Sequence, residues 1–420
     1  MTKLSLSKLQ SLVAGEGVAI RVRQRLQPAG GAGDKVFPPT YATGDKTLKY
    51  ATETRRVDGA DVPAVLMDSV ASQANRMEEA LLAAWEAQKL NFPVIGVDFS
   101  GDAELADLGS VTSLQAPHRI ADAILRDATS VDGKTLFRDL PEGRAFTAAT
   151  TKNASAVFTL CPTALVFGVW DSTGPKGGMG AKFQRALTSE IVALGISTGR
   201  KVGSRIDPLG IQANVDLYHR KDDETDWTIN ADEAKQEKGK PVLFSRKGAD
   251  KKGKASSVNH SNVAPTIDDF AGGVTFDHAM QTVVLSLPAL RRLKFVTTID
   301  GKALAKPEEA EPAARVALAA LALAGVVHQR DQGYDLRSRC LLVADGPLVL
   351  EVINGDGTSL QVTLSVAEAN TLVAEAQAAA QAAGLGWQRE PVKLKPAPKL
   401  VALIKKSRAE AAAGAGDEGV

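Results

Sequence analysis

From Pro162 to Leu194 the chain reads PTALVFGVWDSTGPKGGMGAKFQRALTSEIVAL, and no other stretch constrains the fold as tightly. Leu165, Val166, Phe167, Val169 and Trp170 form a continuous apolar run, the pattern of a strand covered on both faces. Gly174, Gly177, Gly178 and Gly180 then permit backbone conformations closed to other residues, and a close approach to a ligand. Phe183, Ala186, Leu187, Ile191 and Leu194 recur at helical spacing, which predicts a helix from Ala181 onward. Free N–H groups at such a helix start, flanked by Lys176, Lys182 and Arg185, attract anions, phosphate above all. A tight strand-to-helix turn with incidental lysines is the other account of the same residues.

The loop lacks the parts of an NTPase. Counted from Gly174, the second glycine of a Walker A loop falls on Met179, and Lys182 is followed by Phe183 instead of Ser or Thr. A dinucleotide fingerprint begun at Gly178 finds Phe183 where its third glycine belongs. The loop therefore suits a phosphate without nucleotide hydrolysis.

A second cationic element lies at Val18–Leu26, VAIRVRQRL. Val18, Ile20 and Val22 alternate with Arg21 and Arg23, and Arg25 follows on the same side: a strand with one buried face and one arginine face. Three like charges on one side repel each other, and an anionic partner would relieve that; a solvated face is the plainer account. Gly30–Thr54 reads as an extended loop carrying Lys35, Lys46 and Lys49. Val62–Gln88 reads as one long helix, with Ser72, Gln73, Asn75 and Arg76 as a polar group near its middle. Pro93–Phe99 is a short strand, and Pro117–Ala128 an amphipathic helix bearing His118 and Arg119.

Composition excludes several classes. Lys and Arg number 50 against 49 Asp and Glu, so a basic face must be offset by acidic surface elsewhere. The two cysteines, Cys161 and Cys340, sit in apolar runs and read as small core residues. The five histidines have no metal-binding spacing, and there is no GxSxG elbow. The N-terminal MTKLSLSKLQSLVAG lacks an apolar signal core, and the apolar helix Ala313–Val327 is too short to span a bilayer, so a cytoplasmic protein is expected. Helices and strands interleave without a fixed repeat, which gives an α+β or α/β class.

Four segments resemble the backbone subunit of type I-G (formerly I-U) CRISPR Cascade complexes. They are VFPPTY at Val36–Tyr41, DSVASQANRMEEAL at Asp68–Leu81, APHRIADAILRD at Ala116–Asp127 and, most specific, TALVFGVWDSTGPKGGMGAKFQRALTSEI at Thr163–Ile191. The resemblance covers roughly the first half of the chain. It implies an α+β, ferredoxin-like (RRM-like) palm with large insertions, one of them a thumb-like hairpin. It also implies a non-catalytic protein that polymerises along crRNA and presents it to target DNA, beside other copies of itself and other Cascade subunits. No cofactor, metal or membrane enters that expectation.

Residues 1–219 are read as the first part of the palm, and 220–265 as a charged insertion and candidate thumb. Residues 266–400 complete the palm, and 401–420 form a disordered tail. The candidate RNA-binding residues are Arg21, Arg23, Arg25, Lys35, Gln73, Asn75, Arg76, Lys176, Gly177, Gly178, Lys182, Arg185, Arg246, Lys247, Lys251 and Lys252. Trp227 and Phe244 are candidate wedge or docking contacts within the insertion. Two alternatives stay open: a metal-dependent nuclease using Asp98, Asp102 and Asp171, and a small-molecule phosphate or nucleotide sensor built on the glycine loop.

Overall fold

The protein is described by a computed structural model covering residues 2–42, 44–45, 47–212, 214–245 and 252–415. It divides into two compact units, Met1–Ser197 with Val274–Val401, and Thr198–Gly273 with Ala402–Val420. The class is mixed α and β.

The first unit is built on a ten-stranded sheet. In chain order its strands are β1 (Thr2–Lys3), β2 (Gly17–Pro28), β3 (Thr52–Val57), β4 (Ala60–Asp68), β5 (Leu187–Leu194), β6 (His278–Ser286), β7 (Tyr334–Asp335), β8 (Leu341–Ala344), β9 (Leu350–Asn354) and β10 (Ser359–Thr363). The spatial order is β1-β10-β9-β2-β6-β5-β4-β3, with β8 paired to β2 and β7. Only β1 and β10 run parallel; every other pair is antiparallel.

Alternation along β2 buries Ile20, Val22, Gln24 and Leu26 and turns Arg21, Arg23 and Arg25 to the other face. In register beside them, β6 buries Ala279, Gln281, Val283 and Leu285, and β5 buries Leu187, Ser189, Ile191 and Ala193. Among its longer helices, α1 (Val70–Glu86) and α3 (Val366–Ala382) both pack against α2 (Pro307–Gln332). α2 is long and apolar enough to cross a membrane by length and composition, yet its apolar window is 78% buried in the protein, as befits a core helix. Cys161 and Cys340 are buried free thiols, as expected of core residues.

A polar network ties the sheet to the helices. Gln281 donates through Nε2 to Oε1 of Gln73 on α1 at 2.9 Å and to Oε1 of Gln329 on α2 at 3.0 Å. Ser189 donates to Gln73 Oε1 at 2.9 Å, and Gln73 Nε2 donates to Asp68 at 2.7 Å. Gln329 Nε2 is the buried member without a partner among the described residues, and the bonds the others make fix register where apolar contacts alone would tolerate slippage.

The sequence reading departs from the structure most at residues 162–194. Pro162–Phe167 is a short helix, not a strand; Val169–Trp170 pairs with Lys182–Phe183 in a hairpin; and Leu187–Leu194 is a strand, not a helix. Leu187 and Ile191 stand four apart, which suits a helix turn and a period-2 strand equally; the slot between β4 and β6 decides for the strand. The helix expected to start at Ala181 does not form, so no helix N-terminus there offers its N–H groups to an anion.

Val62–Gln88 likewise splits into β4 and α1. Ser69 caps the helix by accepting from the Ser72 N–H at 3.3 Å. Part of the supposed loop Gly30–Thr54 is the start of β3, joined to β4 by Asp58-Gly59 with φ of 48° and 83°. Asp-Gly is a strong hairpin signal, and the sequence reading passed over it. Pro117–Ala128 is broken into Arg119–Ala121 and Ala123–Arg126 by the extended Asp122, which caps Ile124. A helix, Pro398–Ala415, occupies much of the tail expected to be disordered.

The second unit carries short paired strands and a small core of Leu217, Phe244 and Val258. Lys201–Arg205 and Val263–Asp268 form an antiparallel ribbon, with Val202 opposite Ile267. Phe244 is buried, its ring 4.7 Å from that of His219, so it holds this core and is no docking contact; Trp227 is half-exposed.

Candidate nucleic-acid interface

Within the first unit, helix Pro162–Phe167 ends at Gly168, whose φ of 85° carries the chain into the hairpin Val169–Trp170/Lys182–Phe183. A Cβ at Gly168 would press on the Arg185 side chain at 2.9 Å and on the Arg185 backbone nitrogen at 3.1 Å, so only glycine serves. This turn, the hairpin and the segment Pro117–Arg126 wall a cleft of about 1280 Å³.

The charged groups on the cleft wall all have one sign. Arg119, Arg126, Lys182, Arg185 and Arg292 line it, with His118, and among the described residues no Asp or Glu does. Arg126 is engaged at the rim with Thr173 and Asp127. Lys182 holds its ammonium 4.6 Å above the Trp170 ring. Arg185 and Arg292 are exposed, with no hydrogen bond or ion pair from their guanidinium groups among the described residues.

Beneath the wall lies one buried carboxylate. Glu78 of α1 accepts both forks of Arg119, at 2.6 Å each, and Arg119 also donates to the Gly168 carbonyl at 2.9 Å. Burial pushes the Glu78 carboxyl up to about 7, against the pull of Arg119. Arg119 sits at φ 52°, a conformation that costs a non-glycine residue energy and persists only because its surroundings hold it there.

The sequence candidates fall into separate places. Asn75, Lys182 and Arg185 come together on the cleft wall. Lys176 is exposed in the glycine loop, where Gly177 and Gly178 form part of a short 3-10 turn and Gly177 has open space around it. Gln73 is not on the surface: it is fully buried in the network described above. Arg76 is spent on Asp68 at 3.0 Å and on the carbonyls of Asp335 and Leu336. The polar group of α1 is thus divided, because a helix turns 100° per residue and only Asn75 of the three candidates faces the cleft. Lys35 is half-buried and has partners of its own. Lys252 is exposed in the second unit; Arg246, Lys247 and Lys251 lie outside the described residues.

On β2, Arg21 donates to Glu351 from Nε at 2.8 Å and Nη2 at 2.6 Å, and Arg25 lies 3.9 Å from Asp345. Arg23 is exposed between them. The sequence reading missed His118, Arg119 and Arg126 as a group, and Arg292 altogether. Arg292 is more than a hundred residues from the glycine loop, and nothing in its local sequence marks it.

The loop glycines have a second physical role. A Cβ at Gly174 would run into the Asp171 carboxylate, and one at Gly180 into the Asp171 carbonyl. Asp171 is itself enclosed and gripped by both forks of Arg138, at 2.5 and 2.7 Å. This corrects the nuclease alternative: Asp171 is a structural carboxylate holding the loop. Asp98 and Asp102 instead cap local turns, at Ser100 and Glu104. No group of three or more metal-ligating side chains occurs among the described residues.

Residues 20–198 match the family model of CRISPR-associated protein GSU0053. All of the cleft wall except Ala289, Arg292 and Leu293 falls within that segment. Over these residues the chain is similar to that CRISPR-associated family, in agreement with the resemblance read from the sequence. The crystal structure of Thermofilum pendens Csc2 is similar to this chain at 10% identity and a TM-score of 0.24, over 97% of this chain and 81% of that one, a likeness too loose to carry an argument. No curated protein matches significantly.

Proposed function

We propose that this chain is a non-catalytic, crRNA-binding backbone subunit of a type I-G Cascade complex, working in the cytoplasm. The observation that carries the reading is the cleft: a trough walled by cations and free of carboxylates, set almost wholly in the CRISPR-associated segment. A guide must vary in sequence, so its holder should grip phosphate and ribose and leave base edges free for target DNA. A cationic trough meets that need; it also explains how a chain of net charge +1 binds a polyanion, since charge placement and not its sum matters.

The ferredoxin-like palm is part of the proposal. Its support is the antiparallel order β9-β2-β6-β5, with α1 between β2 and β5 in sequence and α2 between β6 and β9. This is the order a βαββαβ unit requires, with the hairpin β3–β4 inserted. The second unit is the candidate thumb, wider than the 220–265 read from the sequence. Its support is the ribbon, which leaves Val202, Ile206 and Ile267 more than 60% exposed, awaiting a neighbouring copy, another Cascade subunit or RNA.

The test is binding of single-stranded RNA by the purified chain across a salt series. Log affinity should fall linearly with log salt, by about 0.7 per phosphate neutralised, with little dependence on base sequence. RNA of discrete length carried through purification would agree. A flat salt response, or strong preference for one sequence, sinks the reading.

A further inference from the structure

We propose that the cleft holds one nucleotide unit of a single strand, with its base stacked on the Trp170 ring at the rim and its phosphate between Arg185 and Arg292. The inference rests on the RNA-binding reading above and adds to it a stacking platform, a residue of α-helix-to-hairpin origin that no charge argument would single out.

Trp170 is the anomaly that starts the argument. It is 50% exposed, whereas Trp387 in the core is 5% exposed. Large aromatic side chains are usually well covered, and an exposed one beside cations marks a surface built for a flat, anionic partner. Lys182 lies over the ring at 4.6 Å and backs it with positive charge.

The wall chemistry then narrows the ligand. A bare phosphate has no use for an aromatic ring, and a bare base has no use for two unpaired arginines. A nucleotide uses both. Apolar side chains of Val70, Leu165 and Leu293 share the wall with the arginines, as a base and sugar beside a phosphate require. At about 1280 Å³ the cleft also exceeds the roughly 300–1000 Å³ of a closed small-molecule pocket. It is an open trough, so the unit it holds is part of a continuing strand. The floor is braced: Arg119 is held by both Glu78 oxygens and donates to the Gly168 carbonyl, and a preformed floor spares the ligand the cost of ordering it. Every base offers a π-face, so a stacking contact is compatible with a guide of any sequence.

Two probes separate this inference from the reading it rests on. One is a fluorescently labelled oligouridylate; the other is an abasic ribose-phosphate oligomer of equal length. Both are titrated against the full chain, against Trp170→Ala, and against Trp170→Phe. Stacking predicts that Trp170→Ala loses roughly 5- to 100-fold in affinity for oligouridylate and nothing for the abasic oligomer, and that Trp170→Phe regains most of the loss. An unchanged affinity of Trp170→Ala for oligouridylate, or an equal loss on both probes, overturns the stacking contact while leaving RNA binding intact. If the parent chain binds neither probe, the RNA reading fails and takes this inference with it. The tryptophan is half in solvent, so both variants should stay folded at the assay temperature, as melting checks; a loss confined to oligouridylate in Trp170→Ala and absent in Trp170→Phe cannot come from misfolding.

Discussion

Arg21 of β2 and the cleft arginines Arg185 and Arg292 lie in one structural unit and have opposite fates. Arg21 is clamped by Glu351 and Arg25 stands 3.9 Å from Asp345, so two of the three β2 arginines face a carboxylate and Arg23 stands between them. Arg185 and Arg292 face no carboxylate on the cleft wall. In sequence the β2 arginines look the stronger site, three on one side of a strand within five residues. What differs is the neighbour. Glu351 arrives on a strand more than three hundred residues away, and Arg292 reaches the cleft from over a hundred residues beyond Arg185. A cation is available to a ligand only where the fold leaves it without an anion.

The comparison can be broken most severely through stability. Arg119 and Glu78 form a buried pair, and removing one partner leaves a buried charge uncompensated. Arg119→Ala should cost about 3–5 kcal/mol in urea unfolding. Arg21→Ala breaks a part-exposed pair and should cost about 0–1 kcal/mol. Equal costs would mean that the two pairs do not differ in kind.

Binding comes next. Arg185→Ala with Arg292→Ala should weaken RNA binding on the order of 10- to 100-fold, as loss of two charge-assisted contacts would. The slope of log affinity on log salt should flatten by about 1.4, two phosphates' worth. Arg21→Ala, its cation already spent on Glu351, should leave both quantities nearly unchanged. If Arg21→Ala weakens binding as much as the double variant, the β2 face is the true interface.

A smaller effect separates two glycines. Gly168→Ala meets both positive φ and the Arg185 backbone, and should cost about 1–3 kcal/mol of stability. Gly177→Ala has φ 53° but open space, and should cost about 1 kcal/mol or less.

The smallest effect is a pH dependence. The Glu78 carboxyl titrates near 7 in the folded protein, above its ordinary 4.5. A raised folded value means that its contribution to stability is fully present below 4.5 and is lost as pH rises through about 7. Below 7 the neutral carboxyl also leaves Arg119 uncompensated, so RNA affinity should rise as pH falls. The comparison is made in a His118→Gln background, which removes the histidine on the cleft wall. There Glu78→Gln should flatten both profiles between pH 5 and 8. A slope that survives Glu78→Gln assigns the dependence to another group.

Much of the local structure was legible. The alternation in VAIRVRQRL gave β2 and its two faces. The helix expected at Ala181–Leu194 was not legible, because Leu187 and Ile191 satisfy both periods and the sheet chose between them. Gln73 and Asn75 stand two apart in a polar run, yet one is sealed in the core and the other lines the cleft.

By itself the sequence determined the alternating strands, the caps, the conformational freedom at the glycines and the kinship of residues 20–198, since each rests on residues close together in the chain. Only the tertiary structure decided which cations remain unpaired. Electrostatic pairing depends on distance in space, falls away within a few ångströms of contact once water intervenes, and is blind to distance along the chain.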